Sequence, residues 1–380
     1  MAPPQSFEIF LATPPGLEPT LGQEARAAGF EGVAEVPGGV TVQGGWAEVW
    51  RANLMLRCAT RVLARIAQFE VTRGGDFDAR LGALPWGDWL PAGGAVKPEV
   101  TTRASRLSHG GLMTKRAEKT LRQRAGLAIG GETAVPLKIR IDSDMCTVSL
   151  DTSGSPLHQR GHKGAVGKAP MRETLAAAFL RQCGYGGQGP VVDPMCGSGT
   201  FVIEAAEIAA GLPPGRSRAF AFERLAGFDA AAWAAMRAQA VGSATVASRW
   251  RAFGYDRDAG VIRAATDNAD RAGVAAMTAF TAQSISDLTP PPGLPGLVIV
   301  NPPYGSRIGD KKKLGALYQA FGQTLMARFA GWRVAIVTPE PSFAKATGLP
   351  FAPPGPPIPN GALRVKLYQT APLPRPRRGG

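Results

Sequence analysis

The chain has 380 residues, 44% of them apolar, enough to bury a sizeable core in two or three domains. Forty-three Lys and Arg against 29 Asp and Glu leave a formal charge of +14. That points to a polyanionic partner, nucleic acid ahead of an anionic membrane surface, with a coding bias toward Arg as the competing explanation. There is no apolar run long enough for a transmembrane helix, and residues 1–8 carry no basic-then-apolar leader. The cysteines (Cys58, Cys146, Cys183, Cys196) are far apart and histidines are few, which argues against a disulfide framework or a metal site and suits a reducing, cytoplasmic setting.

In chain order, residues 7–12 read as a strand, 19–28 as an amphipathic helix, and 33–42 as a hairpin around Gly38-Gly39. Residues 45–66 read as largely helical. A strand follows at 99–102, then a helix at 114–125 that carries Lys115, Arg116, Lys119, Arg122 and Arg124. This charge run is either a solvated face or an RNA contact, and the net basicity favours RNA. Residues 137–142 and 146–151 read as paired strands joined at Asp142-Ser143-Asp144. The polar, Gly-rich stretch 153–164 looks like a hinge or clamp rather than core.

From Pro170 the character changes. A helix at 172–181 precedes short apolar strands at 191–192, 251–255, 277–281, 297–300 and 333–338. These alternate with helices at 201–210, 259–272 and 314–329, which implies a parallel sheet covered on both faces. Residues 211–246 are an insertion whose Phe220, Phe222, Phe228 and Trp233 suggest a packed helical piece. The tail from 372 is rich in Pro and Arg and is expected to be disordered.

Three loops carry chemistry. Asp193-Pro194-Met195-Cys196-Gly197-Ser198-Gly199-Thr200 joins a buried strand to a helix. Its glycines let backbone approach a ligand closely, and the acid can bond the amino group of a bound methionine. No Lys-Ser/Thr follows, so it is not a nucleotide P-loop. In Gly254-Tyr255-Asp256-Arg257-Asp258, Asp256 is placed to accept ribose hydroxyls, and Asp258 reads as a helix N-cap. The most specific loop is Asn301-Pro302-Pro303-Tyr304-Gly305, closing a strand. The prolines set its shape. The Asn301 side-chain oxygen and the Pro302 carbonyl can then accept hydrogen bonds from one planar exocyclic amine, with Tyr304 offering a stacking face for the base. Catalysis would rest on positioning, without a metal.

With these loops, the chain resembles the THUMP-domain class I RNA methyltransferases, most of all the bacterial enzymes that form N2-methylguanosine in large-subunit (23S) rRNA. The segments beginning Asn53-Leu54-Met55, Asp151-Thr152-Ser153, Ala169-Pro170-Met171 and Phe220-Ala221-Phe222 share in the likeness. The resemblance implies an α/β fold in five parts. A ferredoxin-like region (1–60), a THUMP RNA-binding domain (61–154) and a connector (155–169) lead into a Rossmann-like methyltransferase domain (170–371) and a basic tail (372–380). It implies S-adenosylmethionine as cofactor, held by Asp193, Pro194, Gly197, Ser198, Gly199, Thr200 and Asp256. Ser284 joins that set, in a Gln283-Ser284 stretch where an acid is usual. Asn301, Pro302, Pro303 and Tyr304 would be catalytic. Lys115, Arg116, Lys119, Arg122 and Arg160 would meet RNA. The expected partner is large-subunit rRNA before assembly is complete, bound by a monomer with no metal and no membrane contact. The length matches a single-activity enzyme rather than a two-activity fusion. The alternatives are guanine-N2 in tRNA, adenine-N6 in DNA, or a non-catalytic RNA-binding assembly factor; intact Asp193, Asp256 and Asn301 argue against the last.

Overall fold

A computed structural model describes residues 6–164, 171–244, 251–304 and 311–375. By contacts the chain divides into two units of discontinuous sequence. The first takes Met1–Thr13, Leu21–Leu157 and Gly215–Gln239; the second takes Pro14–Thr20, His158–Pro214 and Ala240–Gly380.

The elements up to Asp151 are β1 (Phe7–Ala12), α1 (Glu18–Ala27), β2 (Glu31–Val36), β3 (Gly39–Gly44), α2 (Trp46–Met55) and β4 (Arg61–Glu70). Then come α3 (Gly74–Gly82), α4 (Trp86–Trp89), β5 (Ala95–Arg103), α5 (Gly110–Arg124), β6 (Ala128–Ile129), β7 (Val135–Asp142) and β8 (Met145–Asp151). Their strands make one sheet in the order β2-β3-β1-β4-β8-β7-β5-β6. β1 buries Phe7, Ile9 and Leu11 on one face, the period-two signature that made it readable. Ser143 (φ 51°) and Asp144 (φ 64°) turn β7 into β8 with two consecutive left-handed residues, as a type I′ hairpin requires.

The reading of 45–66 as one helix is corrected. α2 stops at Met55 with Leu56 extended, and the chain re-enters the sheet as β4. Val62 and Ala64 are buried with a period of two, and the antiparallel ladder sets them opposite Leu11 and Ile9. Val62, Leu63 and Ile66 also fit one face of a helix, and pairing with β1 and β8 decides between the two. The start of the connector is not a loose hinge either. Asn53 Nδ2 donates to Thr152 Oγ1 (3.0 Å) and Ser153 Oγ donates to Asn53 Oδ1 (2.6 Å), all three residues being buried.

The second unit continues with α6 (Glu173–Gln182), β9 (Val191–Asp193) and α7 (Thr200–Ala210). The chain then leaves for the first unit, where most of α8 (Ala230–Gly242) lies. The aromatic insertion packs as its composition suggested, but in the first unit rather than within 170–371. Phe220 and Phe222 stack at 5.1 Å, Trp233 meets Phe222 edge-on at 5.0 Å, and Trp50 lies 5.9 Å from Phe228. The Phe222 amide also donates to Thr152 O (3.0 Å).

Back in the second unit follow β10 (Ala252–Asp256), α9 (Ala259–Arg271), β11 (Thr278–Ala282), β12 (Leu297–Val300), α10 (Lys311–Arg328), β13 (Arg333–Thr338), α11 (Pro341–Ala346), β14 (Ile358–Asn360) and β15 (Leu363–Gln369). The sheet order is β11-β10-β9-β12-β13-β15-β14, parallel from β11 to β13, with β15 antiparallel to β13. All four residues of β12 are buried, as expected of a strand covered on both faces. Val298, Val300, Tyr318, Phe321, Leu325, Phe329 and Ile336 form the core against α10. Leu373 belongs to this core, and its amide donates to Trp332 O (2.8 Å), so the tail expected to be disordered from 372 begins as packed chain. Residues 376–380 lie outside the described residues. Successive strands run from β9 toward β10 on one side and β12 on the other. This switch point opens a crevice at the strands' carboxyl ends, where doubly wound sheets take ligands.

Candidate functional site

The three loops singled out from sequence all leave the carboxyl ends of the strands that flank this crevice. Asp193 ends β9 and is 3% exposed; its Oδ1 accepts the Met195 amide (3.1 Å). Asp256 ends β10; its Oδ2 accepts the Gly197 amide (3.3 Å) and its Oδ1 the Asp258 amide (3.1 Å). The Cys196 amide donates to Tyr255 O (2.8 Å), so the tip of β10 pins the whole loop. Gly197 (φ 53°) and Gly199 (φ 83°) adopt left-handed backbone that disfavours side chains. A Cβ on Gly199 would press on the Phe280 ring at 3.1 Å, whereas one on Gly197 would meet nothing within 4 Å, so the backbone there is bare.

Burial pushes the Asp193 carboxyl up to about 8, and the neighbouring Asp256 charge adds to the rise. Pro194, Ser198 and Thr200 are buried in the same turn. Asp258 is the N-cap of α9, its Oδ1 accepting the amides of Gly260 (2.7 Å) and Val261 (3.2 Å). Ser284 is exposed and caps the short turn at Ile285–Asp287.

Asn301 follows β12, and the register Val192↔Val298 sets this loop beside the one that follows Asp193. The Asn301 Oδ1 is buried and has no hydrogen-bond partner among the described residues. Pro302 is buried and Tyr304 half-buried. The Pro303 carbonyl accepts the Tyr318 hydroxyl (3.3 Å). Gly305, the last residue of the motif, lies outside the described residues.

A buried ionic cluster escaped the sequence reading. Lys163 Nζ lies 3.1 Å from Glu173 Oε1 and donates to Thr200 Oγ1 (3.0 Å), at the first residue of α7. His162 Nδ1 stands 3.9 Å from Glu207, and the Arg271 Nε donates to His162 O (2.7 Å). His162, Lys163, Glu173, Ser198, Thr200 and Glu204 line a small cavity there. A signal was available: Glu204 and Glu207 sit three apart on an otherwise apolar helix and need cations, which the connector supplies. The assignment of Arg160 to RNA is therefore corrected. It is 2% exposed and 3.5 Å from Glu204, so it neutralises a buried carboxylate rather than a phosphate.

Two descriptions of known domains match the chain: "RMKL-like, methyltransferase domain" over residues 160–350 and "RlmL ferredoxin-like domain" over 8–63. The chain belongs to the RMKL-like methyltransferase family. A relative from Syntrophotalea carbinolica, named ribosomal RNA large subunit methyltransferase K/L, is 35% identical over 90% of this chain and 50% of its own length. The chain spans about half the length of the curated relatives it matches. Among solved structures, a candidate methylase from Clostridium difficile 630 covers 99% of the chain and is itself fully covered, at 29% identity and TM-score 0.89. A candidate methyltransferase complexed with S-adenosylhomocysteine, SMU.472, has the same coverage at 28% and 0.84.

In this RMKL-like chain the basic helix is α5. Lys115, Lys119 and Arg122 are exposed, while Met113, Ala117 and Leu121 face the core. Arg116 is already engaged, its guanidinium bidentate on Asp78 (2.9 and 2.7 Å). Among the described residues no helix is long and apolar enough to cross a membrane, and no metal-ligand cluster is found.

Proposed function

We propose that this methyltransferase transfers a methyl group from S-adenosylmethionine to the exocyclic N2 amine of a guanosine in large-subunit rRNA. The observation that carries the reading is the buried Asn301 Oδ1, which has no hydrogen-bond partner among the described residues. An unmet acceptor out of water is costly, so such an atom is retained where a ligand donor will meet it.

The residues present fit the cofactor. A buried carboxylate whose neighbour repels rather than neutralises it suits a cationic amino group at Asp193. The bare backbone at Gly197 admits close approach, and Asp256, fixed by two amides, offers its remaining lone pairs to ribose hydroxyls. Bound there, S-adenosylmethionine supplies an electrophilic sulfonium methyl. The chain's part is to orient the amine. Asn301 Oδ1 and the Pro302 carbonyl each accept one of its N–H groups, which holds the nitrogen still and raises its electron density. Tyr304 gives the extracted base a face to stack on.

Support for rRNA comes from the name borne by the Syntrophotalea carbinolica relative and from the exposed cations of α5. Residues 61–154, read as a THUMP domain, would bind folded RNA by shape. Protein-free rRNA is the expected substrate, before subunit assembly closes over the base, with the enzyme acting as a monomer.

The test is nucleoside mass spectrometry of rRNA, tRNA and DNA from a deletion strain carrying either the parent gene or Asn301→Ala. N2-methylguanosine should vanish from rRNA on deletion, return with the parent and stay absent with Asn301→Ala. Its loss from tRNA, or loss of N6-methyladenine from DNA, would replace the substrate. No change in any nucleoside would favour an assembly factor.

A further inference from the structure

The Asn-Pro-Pro-Tyr loop has an unusual hydrogen-bond inventory. Pro302 and Pro303 carry no amide hydrogen, so they offer acceptors and no donors. Left to itself, such a loop has nothing to fix which carbonyl faces the substrate. Among the described residues, α10 supplies a donor to it. Tyr318, on α10 and 0% exposed, donates its hydroxyl to the Pro303 carbonyl (3.3 Å).

That hydroxyl is itself held from behind. The Thr338 hydroxyl, at the end of β13 and also 0% exposed, stands next to the Tyr318 oxygen, and the Glu340 amide donates to Thr338 Oγ1 (3.2 Å). The Tyr318 ring stacks on Phe343 at 4.9 Å. The groups line up from the Glu340 amide through Thr338 and Tyr318 to the Pro303 carbonyl. Two carbonyl-type oxygens of the same loop are thus treated differently. The one on Pro303 is occupied from the protein side, and the one on the Asn301 side chain has no partner among the described residues.

We propose that Tyr318, braced by Thr338, is a positioning residue for methyl transfer. It occupies the Pro303 carbonyl and thereby aims the Asn301 oxygen at the substrate amine. This rests on the reading that Asn301 receives that amine. The hydroxyl touches neither base nor cofactor; it acts through the loop.

The experiment uses the full chain, tritiated S-adenosylmethionine and protein-free large-subunit rRNA, with Asn301→Ala run alongside. Tyr318→Phe keeps the ring, its volume and the Phe343 stack, and removes one hydroxyl. It should slow the single-turnover rate about 10- to 100-fold, the cost of a misplaced contact, with S-adenosylmethionine affinity and the RNA concentration at half-saturation within about twofold of the parent. Thr338→Val should slow transfer in the same sense, and Thr338→Ser should recover most of that loss. Independently of any RNA, amide exchange at Asn301 and Tyr304 should quicken in Tyr318→Phe and stay at parental rates in β9 and β10.

Parental turnover and exchange in Tyr318→Phe overturn the proposal. So does a loss of cofactor affinity that accounts for the whole rate change, or Thr338→Ser as slow as Thr338→Val. If Asn301→Ala transfers methyl as fast as the parent, the functional reading itself falls, whatever Tyr318 does. If the parent does not methylate the RNA, loop exchange alone decides whether Tyr318 orders the loop.

Discussion

The Asp193 carboxyl sits at about 8 because it is buried beside Asp256, against an ordinary value of 3.8. The folded chain therefore holds a proton that the unfolded chain has released. Stability from this group is full below pH 3.8, declines as pH rises, and is lost through about 8. Asp193→Asn, which is neutral at every pH, should flatten this part of the stability–pH curve between pH 5 and 9 while abolishing S-adenosylmethionine binding; thermal melts and calorimetry in that range measure both. A cationic amino group against the carboxylate should drive the proton off, so cofactor binding near pH 7 should release up to one proton, read from the buffer dependence of the binding enthalpy. A binding enthalpy independent of buffer would remove Asp193 from the cofactor site. Tyr304→Ala should slow methyl transfer strongly and Tyr304→Phe only mildly, because stacking needs the ring and not the hydroxyl. At this scale the placing of the three loops at neighbouring strand ends was legible. An acid at a strand tip, glycines in the turn and an Asn before two prolines are local facts. Arg160 was misassigned because the carboxylate that claims it, Glu204, is 44 positions downstream.

Among the elements, α5 separates two kinds of cation. Lys115, Lys119 and Arg122 are exposed and free to meet phosphates, so changing all three to Ala should shallow the logarithmic salt dependence of RNA binding by about 2 to 3, near one per lost contact. Arg116 is bidentate on Asp78 of α3. Arg116→Ala should leave that slope near the parent's and lower stability by about 0.2–1 kcal/mol, the range for exposed pairs. Titrations at several salt concentrations, paired with thermal melts, separate the two outcomes. Elements with one clear period, such as β1 and α9, and continuous apolar runs, such as α7 and β13, were readable to within a few residues. Residues 61–66 were not, because their short apolar run satisfies both periods and the deciding contacts are with β1, some fifty positions earlier, and with β8, far downstream.

For the whole molecule, the aromatic pattern of the insertion announced a packed piece but not where it would pack, since Trp50 and Thr152 lie far upstream of Phe222 and Phe228. The chain passes between the two units at Thr13/Pro14, Thr20/Leu21, Leu157/His158, Pro214/Gly215 and Gln239/Ala240. A cut at 157/158, the place suggested by the connector, should therefore fail to release two stable halves. The fragment 158–380 should expose Phe220, Phe222 and Trp233, bind hydrophobic dyes and aggregate, while 1–157 should melt well below the full chain. Two soluble fragments with cooperative melts at the parental temperature would refute the discontinuous division.

The same discontinuity puts a clock on biosynthesis. The first unit needs residues as late as Gln239 to complete its aromatic core, so when Leu157 is made that unit is still missing a wall. At ordinary elongation speeds the remaining 82 residues take about 4 to 16 s. For that interval Trp50 and its neighbours must wait on the ribosome without their partners. During that same wait the residues being added belong mostly to the second unit, His158–Pro214. Translation rate through this segment, and any chaperone that shelters the nascent chain during it, should influence the yield of active enzyme more than the thermodynamic stability of the finished fold does.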